Sequence, residues 1–271
     1  MTSELTTRHT QIRFEVPSEA FSPSEGDTGN DHDDDPTSCR STLTTIDVER
    51  LGALEDNWKG IAPQTLAELF NSVKYSDITI RLGETEVDLP AHRMVIGLQS
   101  PWLDEFIAKY PAGTSGVLHW QGASVHSIWR IFRYLYQGDY SEDTAMALEG
   151  FGKLSISSNL HVVDWIKTDD EPDLLKHPRI FMLAGQLEKN ELKALALKRF
   201  QSRLKEDWRV EDLVDCIEEI YENQNEHCPL LRPIVVEAAL AYFLQGLVAT
   251  VFIKILQEIE DFRTDLIDLL A

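Results

Sequence analysis

The chain has 271 residues, of which 43% are hydrophobic, enough for one sizeable core or two modest ones. Its 46 acidic against 25 basic side chains leave a formal net charge of −21, a field that repels phosphate backbones. No run of Lys and Arg interrupts it, so direct nucleic-acid contact is excluded, and three sparse cysteines argue against a disulfide framework and for a reducing compartment.

Residues 1–64 read as a disordered acidic tail. The first sixty hold thirteen Asp/Glu against five Lys/Arg, with clusters such as SPSEGDTGNDHDDDPTS, and so little apolar content cannot offset the entropy of ordering. His32, inside DHDDD, belongs to a solvated charge run. Phe14 and Val16 alternate with Arg13 and Glu15, a trace of pattern too short to assign. The opening MTSELTTRHTQIRF lacks the continuous apolar stretch of a signal peptide.

A folded region is expected over 65–140. Leu66, Leu69, Phe70 and Val73 recur at helical spacing. Ile78, Ile80 and Leu82 alternate with Thr79 and Arg81, Gly83-Glu84 marks a turn, and Thr85–Leu89 returns as the second strand of a hairpin. Met94, Val95 and Leu98 predict a short helix, and Trp102, Leu103, Phe106 and Ile107 a second, with Ser100 as its cap and Pro101 in its first turn. Val117–Trp120 is a third strand candidate. Val125–Tyr136 follows as a helix with Ile128, Ile131, Phe132 and Leu135 inward, and with Arg130 and Arg133 on a solvated face.

Residues 141–176 break the pattern and read as a long excursion or linker, with one short element near Leu160–Ile166. Residues 177–204 form a helical pair and 205–271 a helical extension, punctuated by Pro229 and Pro233. Cys216 shares a face with Leu213, Ile217 and Ile220, as a small buried hydrophobe does. His227-Cys228 has no second pair at zinc spacing. The apolar stretch Ala238–Ile253 would reach only about 24 Å as a helix, short of the ~30 Å of a bilayer's hydrocarbon layer, and reads as a buried core helix.

The order of these elements resembles the BTB/POZ domain. The stretches that carry the resemblance are Ser76-Asp77-Ile78-Thr79-Ile80, Ala91-His92-Arg93, Leu98-Gln99-Ser100-Pro101-Trp102-Leu103 and Ile131-Phe132-Arg133-Tyr134-Leu135-Tyr136-Gln137-Gly138-Asp139-Tyr140. The later HPRIFMLAGQLEKNELKALALKRF resembles the helical pair that closes that fold. The whole looks most like the short fungal BTB proteins that carry no other recognisable domain. The resemblance implies an α+β, mostly helical protein: a BTB/POZ fold with a small sheet surrounded by helices, followed by a helical extension.

It also implies protein–protein interaction, often homodimerisation, with some members acting as adaptors for cullin ubiquitin ligases. In the family the positions of Asp77 and Arg93 are often a charged pair near the dimer interface, here read as a structural or interface pair. His92 is expected to bond a backbone group. Trp102, Phe106, Tyr110, Tyr134 and Tyr136 are interface candidates, with a core role as the alternative for Trp102, Phe106, Tyr134 and Tyr136. No nucleophile motif, phosphate-cradling Gly loop or metal cluster is present, so the reading is a non-enzymatic module without a cofactor. It acts on protein partners inside the cell, without direct nucleic-acid or membrane contact. Tyr110–Gly116, YPAGTSG, lacks the acidic residue that cullin-binding members usually carry there, which weakens the adaptor reading.

Overall fold

The structure is a computed structural model and describes residues 11–15, 66–85, 87–109, 116–141, 155–156, 171–206, 208–244 and 250–270. Its strands are β1 (Gln11–Glu15), β2 (Ile78–Leu82), β3 (Val87–Ala91), β4 (Val117–Gln121) and β5 (Ser155–Ile156). The helices are α1 (Arg93–Gln99), α2 (Pro101–Ala108), α3 (Val125–Gln137), α4 (Lys176–Gln186), α5 (Asn190–Arg203), α6 (Val210–Glu222), α7 (Arg232–Leu244), α8 (Thr250–Glu258) and α9 (Glu260–Leu270). This is the α+β, mostly helical arrangement that the sequence implies.

One five-stranded sheet runs in the order β1-β4-β2-β3-β5. β2 and β3 form the antiparallel hairpin, turned at Gly83 with φ +61°, a left-handed conformation that suits glycine. β2 also pairs in parallel with β4, which needs a crossover, and α1 and α2 supply it. Burial alternates along β2, β3 and β4, so one face of each packs inward. On the other face Arg81 forks onto Asp88, its register partner, at 2.8 and 2.9 Å. Pro90 sits in β3 beyond the two residues that pair with β5, so its missing N–H interrupts nothing on that side.

Three local expectations are corrected. Gln11–Glu15 lies within the stretch read as a disordered tail, yet it forms β1, antiparallel to β4. Five residues of alternation are lost in the average composition of a tail, and the strand exists only because β4 offers an edge. Helical backbone runs over 66–69 and stops before Val73, which is 80% exposed rather than part of a buried stripe. Of the stretch Ala238–Ile253, residues 238–244 lie in α7 and 250–253 in α8, while 245–249 lie outside the described residues, and among the described residues no helix is long and apolar enough to cross a membrane. The element expected near Leu160–Ile166 lies outside the described residues.

α3 is the central helix. Ser124 caps its start and Gly138, at φ 73°, its end. It buries Ile128, Ile131, Phe132 and Leu135, but also Trp129 and Arg130, because the sheet covers one side and α4 another. Arg130 is therefore not on a solvated face: it is 1% exposed, and its Nη1 donates to Glu171 Oε2 at 2.6 Å. Glu171, at the end of the stretch read as an excursion, also accepts from Ser127 Oγ at 2.8 Å and from Arg179 Nη1 at 3.1 Å. Arg179, on α4, forks onward to Glu219 on α6 at 2.8 and 2.5 Å. Burial pushes the Glu171 carboxyl up, but Arg130 and Arg179 outweigh it and hold the group below the ordinary carboxylate range.

Beside this network Tyr140 hydrogen-bonds His177 Nδ1 at 2.9 Å, and Arg199 lies over the Tyr140 ring. Burial, then the Arg199 charge, lowers the His177 pKa to about 3, so the ring is neutral at physiological pH. The C-terminal helices close through aromatic contacts, Tyr242–Phe252, Phe243–Phe252 and Tyr221–Phe262 at 5.3, 4.8 and 5.5 Å between centroids. They meet α4 at Gly185, where the His227 ring lies so close that a Cβ would fall 1.9 Å from it. The Arg130–Glu171 pair yields a test. Arg130→Ala removes the closest cation from a buried carboxylate that keeps only Arg179 and Ser127, and is expected to cost about 3–5 kcal/mol, read by urea unfolding; a loss under about 1 kcal/mol would show that the pair contributes little.

Candidate functional site

The residues singled out from sequence separate into two groups in space. The first gathers where β3 enters α1. A helix start leaves N–H groups without intrahelical partners, and no side chain of the cap residue His92 supplies one. Two distant residues do. The His92 N–H donates to the Tyr136 hydroxyl at 2.8 Å, and the Arg93 N–H donates to Asp77 Oδ1 at 2.8 Å. Asp77 thus meets Arg93 through the main chain. Its own N–H donates to the Ala91 carbonyl at 3.1 Å, which holds the strand entrance against the strand exit.

His92 is buried with both ring nitrogens engaged. Nε2 lies 2.8 Å from the Lys74 carbonyl, which only accepts, so Nε2 carries the proton. Nδ1 then receives the Tyr136 hydroxyl at 2.9 Å. Burial raises the Tyr136 pKa, which keeps that hydroxyl a donor. A ring so committed has no lone pair left for proton transfer to a ligand. Phe70 packs on Tyr136 and on Trp129, at 5.7 and 4.7 Å between centroids, and covers the cluster.

The second group lies on α2, where Trp102 and Phe106 stack at 5.4 Å with planes 7° apart, both half-buried. Tyr134, two residues before Tyr136 and so on another side of α3, is half-buried near Glu191 and Asp139; burial, then these two charges, raise its pKa. Tyr110 lies outside the described residues, as do all of 110–116 except Gly116.

Several large apolar side chains of this region face water. Met94 and Leu98, one turn apart on α1, are 65% and 68% exposed, while Val95 and Ile96 are buried. Tyr75, in the loop that the Lys74–His92 and Asp77–Arg93 bonds fasten to the start of α1, is 77% exposed, like its neighbour Val73. The signal was present in RMVIGLQ: a seven-residue helix with five apolar or small positions cannot turn all of them inward. Among the described residues no three His, Cys, Asp or Glu side chains gather as a metal site would need.

Residues 66–160 match the BTB/POZ domain family, so the chain contains a BTB/POZ domain there, a protein–protein interaction module. No curated protein matches the chain.

The capping geometry separates two roles for Asp77. Asp77→Ala removes the acceptor from the α1 start and is expected to cost about 1 kcal/mol, whereas Asp77→Asn keeps an acceptor and is expected to cost less than half of that. Equal losses on denaturant unfolding would mean that the charge, not the cap, is what matters.

Proposed function

We propose that this protein is a non-enzymatic interaction module that pairs with a second copy through the apolar face of α1 and its adjoining loop, or docks partner proteins there. The observation that carries the reading is the exposure of Val73, Tyr75, Met94 and Leu98 around one buried polar junction. A cluster of large apolar side chains in water favours association, and the rigid junction beneath presents it without an ordering cost. Asp77 and Arg93 border this face and act as structural support for it. A reducing, intracellular setting accords with the two described thiols, Cys216 and Cys228, both free and buried.

A second reading, an adaptor for a cullin-type ligase, draws on a different observation: the half-buried Trp102–Phe106 stack on α2, with exposed Asp104 and Glu105 beside it. It lies just before the acid-free Tyr110–Gly116, which counts against it.

Sedimentation velocity tests the first reading. The full chain is expected to sediment as a dimer, and Met94→Glu/Leu98→Glu as a monomer with unchanged melting temperature. A monomeric parent, or a dimeric variant, would refute pairing through this face. For the second reading, a purified cullin N-terminal domain is expected to co-elute with the parent chain and not with Trp102→Ala/Phe106→Ala; elution apart from the parent rules the adaptor role out.

A further inference from the structure

A groove of about 520 Å³ opens between the first two turns of α7 and the last turn of α9, outside the BTB/POZ match. Its floor is apolar, from Pro233, Val236 and Leu269, and its walls carry Glu237, Asp265 and Asp268. The spacing explains the shared face: 233, 236 and 237 lie within one turn of α7, and 265, 268 and 269 within one turn of α9. Val236 is 3% exposed, so the floor is continuous with the core, whereas Leu269 is 46% exposed. Leu230, beside Pro229 at the groove mouth, is 58% exposed.

The charges on the walls differ in availability. Asp265 is held by the Tyr221 hydroxyl at 2.6 Å. Arg232, the one cation on the wall, lies over the Tyr221 ring and faces Asp261 at 3.5 Å. Glu237 and Asp268 are exposed and enter no ion pair among the described residues. An apolar floor between two free carboxylates, on a chain of net charge −21, complements a segment that carries an apolar side chain flanked by cations. The same charge disfavours the chain's own residues 16–65, rich in Asp and Glu, and a second copy as occupants.

We propose that this groove docks a short basic, leucine-bearing peptide segment of a partner protein. The apolar side chain seats on Pro233 and Leu269, over the buried Val236, and Lys or Arg side chains meet Glu237 and Asp268. The site is separate from the α1 face, so its failure would leave pairing through Met94 and Leu98 standing.

Fluorescence anisotropy on the full chain tests it, with a labelled KLRKLLK peptide as probe and ELEELLE as its charge-reversed partner. The basic peptide is expected to bind and the acidic one not. Glu237→Lys/Asp268→Lys, and separately Leu269→Glu, are expected to weaken binding about tenfold or more, with unchanged melting curves. Glu84→Lys/Glu222→Lys makes the same charge change elsewhere and is expected to stay within about twofold of the parent. Equal weakening by both double variants would reduce the effect to long-range attraction and overturn the proposal, as would no weakening by either or equal binding of ELEELLE. Two results on the peptide-free Glu237→Lys/Asp268→Lys variant would overturn it in favour of other occupants: a changed sedimentation coefficient, meaning a second copy, or faster hydrogen exchange in residues 16–65, meaning the chain's own tail.

Discussion

The Glu171 carboxylate is the constraint on which the rest of the molecule depends. It is removed from water, and an ion so placed is tolerable only where charge and hydrogen bonds replace its hydration. Arg130 from α3, Arg179 from α4 and Ser127 from α3 do so together. Because Arg179 also grips Glu219, one chain of charges runs from the central helix of the sheet region to the first helix of the C-terminal extension. Arg179, bonded to both Glu171 and Glu219, thereby ties α3, α4 and α6 into one network.

Two further junctions are built from helices that this network holds. With α3 fixed, Tyr136 reaches the start of α1 and bonds the His92 amide and ring, so the polar junction there is wired from inside. With α6 fixed, Tyr221 reaches Asp265 and Phe262, which sets α9 against α7 and opens the groove between them. Polar groups that look reactive in sequence, the His, Asp and Tyr of the first region, are consumed in building. The exposed side chains around α1 include the apolar Met94 and Leu98, whereas those of the α7–α9 groove include the acidic Glu237 and Asp268.

That division gives the two surfaces different chemistry. The α1 face presents Met94, Leu98, Tyr75 and Val73, and the pairing proposed through it would gain from burial and depend little on salt. The α7–α9 groove couples a smaller apolar floor to exposed carboxylates, so the docking proposed there would be steered by charge and screened by salt. A chain carrying such an excess of acid repels its own copies at long range, and pairing therefore needs an uncharged face such as the one α1 offers.

Local signals in the sequence determined much of the fold. The alternation of Ile78, Ile80 and Leu82, the Ser100-Pro101 helix start and the period of Ile128 to Leu135 each need only neighbours within a turn or a strand, so they can be read without knowing what packs where. The same reading paired Asp77 with Arg93 and expected His92 to bond a backbone group, but it set Tyr136 apart on its helix and did not show that Asp77 meets an amide or that His92 is held by Tyr136. What only the tertiary structure decided were matters of distant pairing. Arg130 finds Glu171 forty-one residues away, β1 becomes a strand because β4 lies free beside it, and Met94 faces water because Val95 and Ile96 take the inner side of a helix too short to bury them all. Periodicity reports which residues share a face; which face is covered, and by what, depends on contacts between segments that the sequence keeps far apart.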